Sequence, residues 1–171
     1  LDSTVRTVYG SQEGAKEGYN PKKKGANSYH PLLGFLNSTK ECLLSWFRPG
    51  SSYTSNNSAG FLSQAFGMLP KGIDKLLVRA DSGFFGNEFI NVIESRENTE
   101  YVIKVKLKNL NSLLAGQSWH SIPGMSGWSM TEFMYKAEKW KTPRKLAALR
   151  KETKEEKEIV EGKVSRLFSV K

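Results

Sequence analysis

Residues 75–105, KLLVRADSGFFGNEFINVIESRENTEYVIKV, decide the interpretation of the rest of the chain. The short apolar run at 75–80 is typical of a buried strand, and it leads directly into Asp81-Ser82-Gly83. Asn87 is a helix-capping residue type, and apolar residues recur after it at helical spacing (Phe89, Ile90, Val92, Ile93). Residues 100–105 again have the composition of a strand. The stretch therefore predicts a strand–helix–strand unit.

The residues before this unit predict three strands and a helix. Residues 5–9 alternate like a strand, and residues 28–36 and 41–47 are typical of a hairpin closed by the turn 37–40. Apolar residues in 57–69 recur at helical spacing, and Pro70 ends that run. Antiparallel strands followed by strand–helix–strand connections predict an α/β fold with a mixed β-sheet flanked by helices.

The last third of the chain is less regular and more strand-like. Residues 107–115 predict a helix, and 129–139 with 144–151 alternate like a surface hairpin. The strong helix formers in 144–151 are equally compatible with a helix. Residues 164–170 alternate as a final strand. The order of the predicted elements therefore becomes less regular after Lys108.

The charge is concentrated in that last segment. The 171 residues have a formal net charge of +9. Residues 1–100 contain 11 Lys+Arg and 10 Asp+Glu, whereas residues 101–171 contain 15 and 7. A basic excess confined to one segment favours a polyanionic partner, most often nucleic acid, although a solvated charged surface would have the same composition.

Composition excludes several classes of protein. A single cysteine, Cys42, excludes an internal disulfide framework and a cysteine-based zinc site, and its apolar strand predicts that it is buried. The two histidines, His30 and His120, are too far apart in sequence to indicate a histidine-rich metal site. No run approaches the ~20 apolar residues of a membrane span, so we expect no membrane partner.

Two aspartates at the edges of apolar strands are the candidate catalytic residues. Carboxylates fixed on rigid elements can hold the paired divalent ions used in phosphoryl transfer. Asp2 and Asp81 are placed in this way, and the small residues after Asp81 leave room for a phosphate backbone. Asp-Ser-Gly is also a common turn or cap sequence, and that interpretation stays open from the residues alone.

The order and spacing of several short motifs resemble insertion-sequence transposases of the DDE superfamily, which have an RNase H-like core. The resemblance is closest over residues 1–108 and rests on five pieces: Asp2-Ser3-Thr4, Tyr9-Gly10, His30-Pro31-Leu32, Arg48-Pro49-Gly50 and Arg79-Ala80-Asp81-Ser82-Gly83-Phe84. It implies an RNase H-like mixed sheet in 1–108, with a β-rich C-terminal insertion at 109–171.

The same resemblance implies a function and a site. Asp2 and Asp81 would be the first two catalytic, metal-binding acids, and the cofactor would be Mg²⁺ or Mn²⁺, two ions in the complete enzyme. The implied reaction is DNA cleavage at transposon ends followed by strand transfer into target DNA. A homodimer is implied for the full-length protein, which would be cytoplasmic and nucleoid-associated in bacteria.

The third acid of the superfamily, a Glu on a helix after the fifth strand, has no clear match in this sequence. Several glutamates follow in the right direction, but none lies in the expected helix signature (Glu132, Glu138, Glu152, Glu155, Glu156, Glu158, Glu161). We therefore expect that helix beyond Lys171, a truncated catalytic domain, and a fragment that cleaves DNA poorly or not at all.

Basic residues near the expected site and in the last segment are candidate DNA contacts. They are Arg48, Arg79, Lys136, Lys139, Lys141, Arg144 and Lys145. Trp119, Trp128 and Trp140 are interleaved with the later cations; we favour packing for the tryptophans and phosphate contacts for some of the cations.

Two other functions remain compatible with the sequence. One is a non-catalytic DNA-binding module that uses the basic segment, and the other is an RNase H-like nuclease without strand transfer. Asp2 and Asp81 carboxylates within ~4–6 Å of each other on adjacent strands would favour an enzyme over the binding module, and carboxylates on different faces of the sheet would count against the enzyme. The nuclease shares the same site.

Overall fold

The computed structural model describes residues 1–152 in full and the backbone of 166–170. Strands dominate the described residues: β1 (Asp2–Ser3), β2 (Arg6–Thr7), β3 (Lys16–Glu17), β4 (Asn27–Tyr29), β5 (Leu32–Phe35), β6 (Cys42–Trp46), β7 (Leu76–Ala80), β8 (Thr99–Lys104), β9 (His120–Ser121), β10 (Trp128–Tyr135), β11 (Arg144–Lys151) and β12 (Arg166–Val170). The helices are α1 (Ser58–Gly67), α2 (Asn87–Glu94) and α3 (Leu110–Ala115), and a single 3₁₀ turn covers Ser82–Phe84. The predicted α/β fold class is therefore confirmed, since the described residues form both strands and helices.

The strands of the described residues form three sheets. Two of them are small and antiparallel, with the orders β1-β5-β6 and β2-β4-β3. The third has six strands in the order β7-β8-β12-β11-β10-β9, in which β7 and β8 are parallel and the other pairs are antiparallel. This sheet contains strands from both sides of residue 108, so the C-terminal segment extends the sheet that β7 and β8 begin.

The core lies between the sheets and the first two helices. Both helices place apolar residues at helical spacing on their inner face, so that each buries one side and exposes the other. The main cluster consists of Leu32, Phe61, Leu62, Val78, Phe84, Phe89, Ile90, Ile93, Tyr101 and Ile103. A second cluster, Val105, Leu114, Leu146 and Ala148, packs under the last segment. The core thereby fixes the C-terminal end of β7, where Asp81 lies.

The structure settles the open alternative for 144–151 in favour of a strand. β11 pairs with β10 over eight residues, from Trp128 opposite Lys151 to Tyr135 opposite Arg144. Its alternating residues Leu146 and Ala148 are fully buried, and this packing outweighs the helix propensity of its Leu, Ala, Arg and Lys residues.

Several local predictions differ from the structure. Residues 28–36, predicted as one strand, are divided between β4 and β5, which belong to different sheets. Gly86 occupies the N-cap of α2, so Asn87 is the first helical residue and its side chain is available to a neighbouring strand. Cys42 is exposed instead of buried, because β6 is an edge strand and the β5–β6 register shifts next to it. None of the helices in the described ranges has the length and apolar character needed to cross a bilayer.

Candidate functional site

Asp2 lies on the short strand β1, where it pairs with Leu33 of β5. Its side chain is exposed, and its Oδ1 accepts a hydrogen bond of 2.7 Å from the backbone N–H of Ser3. Antiparallel pairing with β5 fixes the backbone position of this carboxylate.

Asp81 directly follows β7 and caps the 3₁₀ turn. Its Oδ1 accepts a hydrogen bond of 2.8 Å from the backbone N–H of Gly83, and its side chain is exposed. The turn-and-cap interpretation of Asp-Ser-Gly is therefore confirmed as a structural role. That role uses one carboxylate oxygen and holds the side chain at the end of a parallel strand.

A hydrogen bond of 2.6 Å joins a residue next to Asp2 to a residue close to Asp81 in sequence. The backbone nitrogen of Leu1, directly before Asp2, donates to the carbonyl oxygen of Arg79, two residues before Asp81. The residue before Asp2 is thereby joined to the strand that precedes Asp81, although β1 and β7 belong to separate sheets.

Thr54 forms a second link between the two strands. Its Oγ1 lies 2.8 Å from Oγ of Ser3, the residue after Asp2. A Cβ atom at Gly83 would lie 2.9 Å from the Thr54 side chain and 3.1 Å from Oδ1 of Asp81. Gly83 is therefore the residue that lets the Thr54 loop pack against the Asp81 turn. The sequence does not indicate Thr54 as a site residue, because it lies in a Ser/Asn-rich loop without a motif of its own.

The donor chemistry at Asp2 and Asp81 suits a hard divalent cation. Carboxylate oxygens are the ligands that Mg²⁺ and Mn²⁺ prefer. In the described residues, the second oxygen of each carboxylate has no hydrogen-bond partner, so it is available to an ion. These two residues fit part of a metal site.

Within the described residues, no third acid lies next to them in a metal-binding group. No group of three or more His, Cys, Asp or Glu residues suited to a metal is found within the described ranges. Of the candidate glutamates, Glu132 pairs with Lys145 at 3.1 Å, and Glu138 and Glu152 are exposed. The remaining four, Glu155, Glu156, Glu158 and Glu161, lie outside the described residues.

Arg48 is engaged with the backbone of the loops around it. Its Nε donates to the carbonyl of His30 at 3.1 Å, and its Nη1 donates to the carbonyls of Tyr53 and Asn56 at 3.1 and 3.0 Å. Burial lowers its pKa. His30 is itself buried, and its Nδ1 is hydrogen-bonded to the carbonyl oxygen of Ser52. Both residues organise the loop that carries Thr54.

Arg144 is buried, and its environment differs from that of a DNA contact. Only 4 % of the residue is exposed, and its guanidinium donates to both carboxylate oxygens of Glu94 at 2.9 Å. Further hydrogen bonds go to the side-chain oxygens of Asn87 and Asn91, and the ring of Trp140 lies 4.4 Å away. The sequence analysis names Arg144 as a candidate phosphate contact. In the structure its side chain instead connects β11 to α2 through these hydrogen bonds.

The remaining candidate cations are exposed. Lys136, Lys139 and Lys141 lie in the connection between β10 and β11, and Lys145 and Arg79 lie on strands. Trp140 anchors that connection: it is buried and packs edge-on against Phe85 and Tyr135, with ring centroids 5.7 and 5.6 Å away. Packing is thus confirmed for Trp140. Phe85 follows the 3₁₀ turn, so the three lysines are held near the segment that begins at Asp81.

The other two tryptophans are half-buried and lie beside cations on β11. Arg150 lies over the ring of Trp119 at 4.4 Å, and Lys151 lies over that of Trp128 at 5.7 Å. These contacts stabilise the edge of the large sheet.

The chain is similar to a known protein family. The family described as transposase DDE domain group 1 matches residues 1–164. A search of curated proteins finds no match. The matched region contains Asp2, Asp81 and the whole of the described fold except the last strand.

Proposed function

The chain belongs to the transposase DDE domain group 1 family, and we propose that it supplies Asp2 and Asp81 as two metal-binding carboxylates of a DNA-cleaving and strand-transferring site. Membership of the family implies an enzyme of DNA transposition, whose substrate is DNA. The proposal assigns the metal-dependent chemistry to these two residues and the DNA contacts to cations around them.

The hydrogen bond between Leu1 and Arg79 carries the proposal. It supports a site in which the strand bearing Asp2 lies beside the end of the strand bearing Asp81. Acids that are distant in sequence can then serve the same ions, because each is held at the edge of a rigid element.

An RNase H-like arrangement is part of the proposal. Three features support it: the antiparallel pairing of β1, β5 and β6, the link from Leu1 to β7, and the parallel pair β7–β8. In this arrangement residues 1–108 are the core, and 109–171 are an insertion whose strands extend the sheet.

The chain's own residues would hold and orient the reacting groups. The second carboxylate oxygens of Asp2 and Asp81 would bind Mg²⁺ or Mn²⁺, while their Oδ1 atoms stay fixed by Ser3 and Gly83. Divalent ions at such a site polarise a phosphodiester and the oxygen that attacks it. Arg79 and the exposed lysines of the β10–β11 connection would contact the DNA backbone and position it.

Binding of Mn²⁺ to the purified chain, followed by electron paramagnetic resonance, tests the proposal. Asp2→Asn and Asp81→Asn should each weaken binding by roughly tenfold or more, since each removes a ligand and a negative charge. Asp74→Asn is the matched control: Asp74 is exposed and precedes the opposite end of β7, so its loss should leave binding unchanged.

If all three substitutions weakened Mn²⁺ binding equally, the affinity would depend on the net charge of the chain and not on particular ligands. That result would refute the assigned site. Unchanged binding in both Asp2→Asn and Asp81→Asn would refute it as well. Circular dichroism of each variant establishes that the fold is intact.

A further inference from the structure

An exposed groove beside the β2-β4-β3 sheet has no role in the site described above. Its volume is about 680 Å³. Two rows of residues form it, one on the segment 5–9 and the other from Lys22, Lys23, Tyr29 and Phe47. We call it the aromatic groove.

The aromatic groove combines exposed rings with positive charge. Tyr9 is 75 % exposed and Phe47 is 69 % exposed, so both rings are open to a partner. Arg6, Lys22 and Lys23 also line it, and none of the described lining residues is acidic. A suitable occupant therefore carries flat apolar surfaces together with negative charge.

The rings of the groove are held in place before any partner binds. Tyr29 and Phe47 lie with their ring centroids 4.3 Å apart and tilted by 40°. The hydroxyl of Tyr29 donates to the carbonyl of Glu13 at 2.6 Å, which fixes that ring from its far end. Lys23 Nζ lies 4.8 Å from the centroid of the Tyr9 ring. A preorganised platform loses little conformational entropy when it binds.

We propose that the aromatic groove binds an unpaired segment of the DNA strand, with bases stacked on Tyr9 and Phe47 and phosphates contacted by Arg6, Lys22 and Lys23. This rests on the proposed function, since the strand belongs to the DNA substrate. Aromatic side chains with interspersed cations bind single strands without regard to sequence, because every base has a flat face.

Two observations favour this occupant over duplex DNA or a protein. The bases of a duplex are stacked on one another, so exposed rings gain contact only where a strand is unpaired, whereas duplex binding would need the cations alone. A groove whose described lining has three basic residues and no acidic one matches the uniform negative charge of a nucleic-acid strand.

The groove is also within reach of the proposed site. Arg6 lies four residues after Asp2, and an extended chain of that length spans at most ~14 Å. This is a distance of about four stacked nucleotides at ~3.4 Å each. A strand that leaves the carboxylates can therefore enter the groove directly.

Fluorescence anisotropy with two labelled probes tests the proposal: an oligothymidylate single strand of ~15 nucleotides and a blunt duplex of the same length. The double variant Tyr9→Ala/Phe47→Ala should bind the single strand roughly tenfold or more weakly, because loss of each stacking ring costs several-fold. Its affinity for the duplex should stay within about twofold, because the cations are retained. The matched control is Tyr19→Ala/Phe35→Ala, which removes two exposed aromatic rings from outside the groove and should bind both probes like the parent chain.

A second variant, Lys22→Gln/Lys23→Gln, should weaken single-strand binding and make it less dependent on salt, since two phosphates are no longer neutralised. Single-strand affinity that is unchanged in the aromatic variant, or reduced equally in the control, would overturn the proposal. So would equal losses of affinity for single strand and duplex.

Failure here and failure of the proposed function give different results. If only the groove is wrongly assigned, Asp2→Asn and Asp81→Asn still weaken Mn²⁺ binding, while the aromatic variant binds the single strand like the parent chain. If the metal site is wrongly assigned, those two substitutions leave Mn²⁺ binding unchanged whatever the groove variants do.

Discussion

The hydroxyl oxygens of Ser3 and Thr54 lie 2.8 Å apart, which links the strand of Asp2 to the loop that packs against the Asp81 turn. Neither hydroxyl is required by the pairing of β1 with β5. The bond therefore acts on the relative position of the two carboxylates.

Thr54→Val is expected to loosen this link while keeping the shape of the side chain. Loss of one part-buried hydrogen bond should lower the free energy of unfolding by about 1 kcal/mol. Mn²⁺ affinity should fall as well, because Asp2 is held less firmly next to Asp81. Urea unfolding and Mn²⁺ titration measure the two effects.

Thr142→Val is the control for this change. Thr142 is exposed, so the substitution should leave both quantities unaffected. A Thr54→Val chain with full Mn²⁺ affinity would show that the hydroxyl pair does not position the carboxylates.

Gly83→Ala should destabilise the Asp81 turn. The added Cβ would lie 2.9 Å from the Thr54 side chain, so the free energy of unfolding should fall by roughly 1–3 kcal/mol. Combining it with Thr54→Ser removes the crowded methyl group and should restore part of the loss. Gly67→Ala, at the end of α1 where a Cβ meets nothing within 4 Å, should instead be neutral or slightly stabilising. Equal unfolding midpoints for the two alanine variants would contradict the close approach of Thr54.

Arg144→Met should be strongly destabilising, although the residue is not part of the proposed metal site. It leaves Glu94 without its bidentate partner, and breaking a buried ion pair from one side costs about 3 kcal/mol or more. Glu94→Gln keeps the shape and some of the hydrogen bonds, so it should cost less. Urea unfolding compares both with the parent chain.

The exposed pair between Lys75 and Glu100, 3.0 Å apart, serves as the control for the buried one. Lys75→Met should change the free energy of unfolding by less than about 1 kcal/mol, because an exposed pair is screened by solvent. If Arg144→Met lowered the free energy of unfolding as little as Lys75→Met does, the hydrogen bonds between β11 and α2 would contribute little to stability.

How far the sequence predicts this structure depends on how local each signal is. The strand 75–80, the helix after Gly86 and the strand near 100 are specified by apolar spacing and turn residues within a few positions, and all three are present. The 144–151 segment has two compatible patterns, and only pairing with β10 selects the strand. Arg144 and Glu94 are 50 positions apart, so nothing local distinguishes a buried ion pair from a surface cation.

The residues of the candidate site also differ in how far the local sequence reveals them. Asp81 is recognisable because it ends an apolar strand and precedes Ser-Gly, whereas Thr54 has significance only through its contacts with Ser3 and Gly83. The exposure of Cys42 follows from the edge position of β6, which its apolar neighbours do not reveal.

Removing the lysines of the β10–β11 connection should weaken duplex binding without destabilising the fold. In Lys136→Gln/Lys139→Gln/Lys141→Gln, the slope of log affinity against log salt should fall by roughly 2–3, about 0.9 for each phosphate that is no longer neutralised. Anisotropy titrations at several salt concentrations measure the slope.

Lys71→Gln/Lys75→Gln is the control, since these exposed residues lie near the start of β7, at the end away from Asp81. It should leave the slope nearly unchanged. Equal slopes for the triple variant and the parent chain would rule out the connection as a DNA contact.

The chain of residues 1–171 should nick supercoiled DNA only near background in Mg²⁺ or Mn²⁺. Among the described residues, Asp2 and Asp81 have no third acid beside them, so an ion there lacks a ligand and a negative charge. Nicking is followed by agarose electrophoresis, and Asp81→Asn provides the baseline for contaminating nuclease. Strong nicking by the parent chain that disappears in Asp81→Asn would contradict this expectation. It would show that another residue completes the site, and substituting Glu155, Glu156, Glu158 and Glu161 to Gln one at a time would then identify whether a glutamate outside the described residues is responsible.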